Sequence, residues 1–471
     1  MRSSILIILM LLINPKGFNL FAQVPAGELT DIKAFEGYFQ HQENRDMYLQ
    51  IKASGDTITL LQNWDGREVR FDRKGDMDFH NASLKSPLTF AKDSIGRIST
   101  LTAFKRDVWM RASGHAPQVL NKLKQSGKGV TFKNQSSLTD SITLIMSQLK
   151  GYDLFSGTVL IAHGKQVIFQ YACGDAIKER GIPNSINTKF NLGSMNKMFT
   201  SVAAMQLSEQ RKLNLSDPIS KYLDSTWLPL ALSRRIQIRH LMSHTSGLGD
   251  FFGPHFSSAP RRDFKKLNAF KRFLNIETLA FEPGTKWKYS NTGMLLLGAI
   301  IEKVSGEDYF EYVRRHIYEK ANMKVAGAYD VNDGVSDIAV GYIPKPDGKY
   351  DNNMQSIFTI ASPAGGGYAN ADDLHKFFLA LTSEKLISHP SLALITSVQN
   401  SQPYGYGFQI WDSGKRKIFG HSGGADGINA VQYMLPAENW TIIVLSNYQG
   451  SAHSLGEYLL SQVLSYIDTP K

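Results

Sequence analysis

Cysteine is nearly missing from this sequence: Cys173 is the only one among 471 residues. An internal disulfide and a cysteine-built zinc site are therefore excluded. The run Val167-Ile168-Phe169-Gln170-Tyr171-Ala172-Cys173 suits a strand, so this thiol reads as buried and inert. Also lacking are a fixed-period repeat, a long low-complexity tract and, beyond the first residues, any apolar run near the ~20 residues needed to span a bilayer. With 42% hydrophobic and 20% charged residues the composition is that of a globular chain, which excludes a largely disordered one.

Positive charge is in excess, at +10, but it is scattered among acids and no nucleic-acid motif accompanies it. No nucleic-acid partner is expected. One basic cluster, Arg261, Arg262, Lys265, Lys266, Lys271 and Arg272, alternates with Phe264, Leu267, Phe270 and Phe273 and reads as a helix with a solvated and a packed face. The first residues are basic at Arg2, apolar from Ile5 to Ile13 and end in a small residue before Gln23. This pattern predicts a secretory signal peptide over 1–22, hence export to the periplasm or the medium, with no membrane span after cleavage.

The length exceeds what one core usually supports, so two domains are expected. Residues 24–112 alternate short β-type runs, such as Met47–Ile51 and Thr57–Leu61, with turns such as Ser54-Gly55-Asp56. They predict a small antiparallel sheet or barrel without clustered catalytic residues. Residues 113–136 read as a linker and 137–471 as the main domain. There a helix starts near Ser137, capped by Ser or Thr, and strands over 157–163 and 166–173 join through Gly164-Lys165. A helical middle follows, then strands near 405–411, 430–434 and 440–446 and a last helix over 454–467. The two ends would form one sheet around an inserted helical lobe, a mixed α/β (α+β) fold.

Three segments carry candidate chemistry. After Gly193 the apolar positions Met195, Met198, Phe199, Val202 and Met205 recur at helical spacing, which puts Ser194 at a helix start and Lys197 one turn on. A serine hydroxyl needs a base, and a lysine serves only when neutral; burial and a helix N-terminus both favour that state. In the second segment, Trp287-Lys288-Tyr289-Ser290-Asn291 reads as extended, with a helix from about Gly293 to Ser305. Tyr289 could relay a proton or, deprotonated beside Lys197, act as base; Asn291 could hold the lysine and a substrate carbonyl. The third is Phe419-Gly420-His421-Ser422-Gly423-Gly424 at the end of a strand, where glycine amides could form an oxyanion hole with the amide of Ser194. The same residues satisfy Gly-x-Ser-x-Gly, but Ala425-Asp426-Gly427-Ile428-Asn429 is a poor helix start, so Ser422 is expected to bind substrate with His421, Gly423 and Gly424 rather than to be the nucleophile.

Ser194-x-x-Lys197, Tyr289-x-Asn291 and His421-Ser422-Gly423, in that order, resemble the three signatures of the penicillin-recognising serine hydrolases, in particular the class C β-lactamase-like branch with its esterases and D-amino-acid peptidases. The likeness runs from about Ser137 to the end and includes Phe155–Leu160, Ile238–Leu248 and Ser362–Gly367. It implies a β-lactamase-like fold, an acyl-enzyme on Ser194, no metal or cofactor, and the amides of Ser194 and Gly424 as oxyanion hole. One departure stands out: where relatives carry Lys-Thr-Gly this chain has His421, a weaker anchor for a substrate carboxylate that would strengthen on acidification. His240 and His244 lie four apart without an intervening Glu and read as structural; Asp217-Pro218 and Asp372-Asp373 read as helix or turn caps.

The expected activity is hydrolysis of small esters, amides or peptides, with no protein partner assigned. The alternatives are a β-lactamase or peptidoglycan D,D-peptidase of the same fold, and a catalytically silent protein that binds peptidoglycan fragments.

Overall fold

The computed structural model describes residues 29–469 apart from 43–47, 63–67, 84–85, 94–95, 104–106, 113–130, 152, 253–255, 257–258, 260–263, 265, 275, 330–334, 345–349, 355–360 and 413–415. The signal segment 1–22, most of the linker, and Arg261, Arg262 and Lys265 thus lie outside the described residues. Of the rest of the basic cluster, Lys271 and Arg272 lie in a 3-10 helix, Leu267–Phe273, which extended Lys266 precedes, with Leu267 and Phe270 buried.

Strands Gly37–His41, Tyr48–Ser54, Thr57–Gln62, Glu68–Arg73, Asp78–Asn81, Ser86–Lys92, Ile98–Ala103 and Asp107–Ala112 pair antiparallel in sequence order, and the first closes on the last to make a barrel. Period-2 alternation turns Ile58 and Leu60 inward while Thr57 and Thr59 face outward. Phe35, Phe39, Phe79 and Phe90 meet edge to face inside, with centroids 4.8–5.7 Å apart, so side chains fill the interior.

The second sheet has six antiparallel strands in the order Gln166–Cys173, Gly157–His163, Trp440–Ser446, Ile428–Leu435, Lys417–Ala425, Gln409–Asp412. Chain ends therefore build one sheet, as the two runs of strands in the sequence predict. Trp440–Ser446 and Ile428–Leu435 are buried at every position because helices cover both faces. On one face lie the helices Gln135–Gly151 and Ser451–Asp468, the former burying Leu138, Ile142, Met146 and Leu149 at helical spacing. Asn134, not a Ser or Thr, caps it by accepting the Ser137 N–H. The opposite face carries the helical lobe with Asn196–Glu209, Asn291–Ser305 and Ala371–Thr382. Among the described residues no helix is long and apolar enough to cross a membrane.

Cys173 ends its strand buried against the Phe155 carbonyl, and burial pushes its thiol up to about 11, which suits an inert group. Asn370 caps the helix Ala371–Thr382; Asp373, read as a cap in the sequence, is instead buried and accepts the amides of Lys324, Val325 and Ala326. Asp217 does close a turn, accepting the Asn214 N–H as well as Lys221 and Tyr222.

Candidate active site

Ser194 sits in a single 3-10 turn, Gly193–Met195, that feeds directly into the helix Asn196–Glu209. Lys197, one turn later, is 0% exposed, and its Nζ lies 3.1 Å from Ser194 Oγ, 2.8 Å from Asn291 Oδ1 and 2.5 Å from the Ala364 carbonyl. A neutral amine has two hydrogens and one lone pair. The amide and carbonyl oxygens can only accept, so they take the hydrogens, and the lone pair is left for the Ser194 O–H. Burial lowers the amine to about 7, against a smaller opposing pull from Asp250. The free base is thus accessible near neutral pH.

Tyr289 is half-buried, with its ring centroid 4.7 Å from Lys197 Nζ and its hydroxyl hydrogen-bonded with Ser194. Burial pushes the phenol upward, with the Ser194 bond a smaller opposing effect. This removes the anionic-base reading of Tyr289 and leaves the relay, because a phenol that holds its proton can donate it. Asn291 is not in the extended segment: Ser290 caps the helix Asn291–Ser305, whose first residue Asn291 is. Its Oδ1 holds the lysine as expected, and one of its two Nδ2 hydrogens goes to Asp250 at 2.6 Å, which leaves the other for a substrate carbonyl.

The segment around His421 lies within the strand Lys417–Ala425, and the chain then turns into Ile428–Leu435 rather than a helix, so the Gly-x-Ser-x-Gly elbow is absent. Close approach decides its glycines. A Cβ on Gly423 would fall 1.9 Å from Leu192 O and 3.1 Å from Ser194 N, and one on Gly193, at φ 50°, would fall 2.9 Å from Gly424 N. The amides of Ser194 and Gly424 therefore flank one narrow gap between turn and strand. Cross-strand partners share a sheet face: His421 opposite Gln432 faces the helical lobe, whereas Ser422 opposite Val431 faces the C-terminal helix. The expectation that Ser422 binds substrate with His421 is corrected accordingly; its side chain lines a neighbouring cavity and its N–H donates to Gln409 Oε1.

His421 is 1% exposed and held at about 3, first by burial and then by the field of Lys197. Acidification in the usual range will not charge it, which overturns the anchor predicted from sequence. Its role is instead in a buried chain that includes Tyr404. The Ser290 N–H donates to His244 Nδ1 at 3.2 Å, so the His244 proton is on Nε2, 3.2 Å from the Tyr404 hydroxyl. That hydroxyl donates to His421 Nε2 at 2.9 Å, and His421 Nδ1–H faces the Ser422 carbonyl at 2.5 Å. His240, four residues before His244, accepts the Gln237 N–H at its own helix start. Tyr404→Phe leaves both histidine Nε2 atoms without this partner, and is expected to lower unfolding stability in urea by about 1–3 kcal/mol.

A family model described as Beta-lactamase matches residues 143–463. The chain belongs to this family. Penicillin-binding protein 4* of Bacillus subtilis (strain 168) is 30% identical over 314 residues, covering 62% of this chain and 68% of that protein. The teichoic acid D-alanine hydrolase of Staphylococcus aureus (strain MRSA252) is 25% identical over 304 residues, 64% of this chain and 74% of that one. The crystal structure of a penicillin binding protein from Bacillus halodurans superposes with a TM-score of 0.62 at 27% identity, covering 67% of this chain and 99% of that chain. The β-lactamase-like mixed fold predicted from the three signatures is thereby met, and the chain is a hydrolase of this superfamily.

Ser194, Lys197, Tyr289, Asn291, His421 and the glycine amides converge; Ser422 does not. Three participants escaped the sequence reading: Asp250, Tyr404 and the Ala364 carbonyl. Asp250 follows His244-Thr245-Ser246-Gly247-Leu248-Gly249 directly, and Ala364 lies inside Ser362–Gly367, so both adjoin segments that carry the family likeness. Tyr404 has no such neighbour to reveal it.

Proposed function

We propose that this β-lactamase-family hydrolase acts by acyl transfer through Ser194 on small esters or amides. The observation that carries this reading is the donor count at Lys197, which leaves an uncharged amine's lone pair only Ser194 Oγ to face. Ser194 Oγ attacks the acyl carbon as its proton passes to Lys197 Nζ. The carbonyl oxygen, now negative, takes hydrogen bonds from the amides of Ser194 and Gly424. Collapse breaks the bond to the leaving group, which receives the Tyr289 proton, and the Lys197 ammonium restores that proton to Tyr289. Water then repeats the sequence in reverse to free the acid and Ser194.

Beta-lactam or D,D-peptide substrates are the second reading, favoured by the likeness to penicillin-binding protein 4*. Buried, uncharged His421 weakens it, because no cation stands there for a substrate carboxylate. Intact-mass analysis across short-chain esters, D-amino-acid amides and β-lactams tests the proposal. An acyl adduct on Ser194 that turns over with esters or amides is expected; a stable adduct formed only with β-lactams would select the second reading. Export through the segment 1–22 belongs to the same proposal, and fractionation of cells expressing the full chain should find it outside the cytoplasm, beginning at Gln23.

A further inference from the structure

We infer that Asp250 selects substrates bearing an ammonium group next to the scissile carbonyl, that is, aminoacyl esters or amides with a free α-amine. This rests on the acyl-transfer reading above. The Asp250 side chain is exposed at the site, with Oδ2 accepting from Asn291 Nδ2 at 2.6 Å and from the Asn291 N–H at 3.5 Å, and Oδ1 from the Phe252 N–H at 3.2 Å. All three donors are neutral, and among the described residues no cation lies within ion-pair distance. The carboxylate is nonetheless close to the reacting atoms. Asn291 alone separates it from Lys197 Nζ, which is 3.1 Å from Ser194 Oγ, and its charge is felt at both Lys197 and Tyr289.

Charge balance supplies the argument. When Lys197 is neutral, as the base must be, Tyr289, His244 and His421 are neutral as well, and among the described residues Asp250 is left as a negative charge beside the nucleophile with neutral N–H donors and no ion-pair partner. A substrate that brings a cation completes the site; one that brings a carboxylate is repelled. An α-ammonium nitrogen stands about 2.5 Å from its acyl carbon, so it must lie close to the catalytic groups during attack.

The test compares alanine methyl ester, in both enantiomers, with methyl propionate, which has the same acyl skeleton without the amine. Assays at pH 7 keep most of the α-amine protonated. For the full-length protein kcat/KM is expected to favour one alanine ester over the propionate by at least about tenfold. Asp250→Asn should reduce that ratio by about tenfold, chiefly through KM of the amino ester, and Asp250→Glu should restore part of it. A purely structural role would move both esters together and leave the ratio unchanged, which overturns the inference, as does a wild-type ratio near one. In either case turnover of both esters through Ser194 leaves the acyl-transfer reading standing. Absence of any turnover together with absence of any Ser194 adduct overturns both.

Discussion

Ser194→Ala is expected to abolish labelling by a fluorophosphonate probe and to lower ester turnover by at least about 10⁴-fold, because it removes the hydroxyl that Lys197 Nζ faces at 3.1 Å. Lys197 and Tyr289 would remain in place, but neither could replace Ser194 in the proposed acyl-enzyme. The companion variant is Ser422→Ala. Its side chain lies on the sheet face of the C-terminal helix, opposite Val431, so the protein should still be labelled at Ser194. Peptide mapping of the labelled protein decides between them. A probe that modifies Ser422, or labelling lost in Ser422→Ala and kept in Ser194→Ala, would remove the assignment.

Lys197→Met should lower turnover by about 10³-fold or more while raising stability, two effects of opposite sign from one buried amine. The folded protein holds Lys197 at about 7 against an ordinary 10.5, so the unfolded chain binds its proton more tightly over that interval. This group's contribution to folding therefore grows as pH rises from about 7 toward 10.5 and is lost as pH falls through 7. Methionine removes the cost of burying the amine but leaves the Ala364 carbonyl without its donor. A net gain of about 2 kcal/mol near pH 7 is expected in urea unfolding. The pH dependence just described should disappear in the same variant. For wild type, kcat/KM should climb through about pH 7 as Lys197 loses its proton, and no fall from Tyr289 is expected before strongly alkaline pH, since burial raises the phenol. A pH–rate profile flat between 6 and 8 for wild type would remove the uncharged lysine as base.

What could be read early and what could not follows the range of the forces involved. The hairpin over 157–173 and the helix carrying Ser194 and Lys197 depend on local periodicity, turn residues and one helical turn of separation, and each lies where the pattern puts it. Asn291 was misplaced by one element, because a Ser cap between an extended run and a helix leaves the boundary open by a residue or two. The orientation of Ser422 follows from strand alternation once the segment is known to be strand throughout, and it was the placement at a strand end that hid it. Asp250 gave no signal of its own, since an exposed aspartate after glycines reads as a turn residue.

By itself the sequence determined the two ends that share a sheet, the helical lobe between them and the three short segments that carry the family's signatures, for these rest on patterns a few residues long. Burial was decided only by the tertiary structure. The charge states of Lys197 and His421 depend on how much water the neighbouring elements exclude, and the contacts of Asp250 with Asn291, of Tyr404 with two histidines and of Ala364 with Lys197 join residues 41, 17 to 160 and 167 positions apart. No local pattern encodes such pairings, because they form only when distant segments pack and water leaves the space between them.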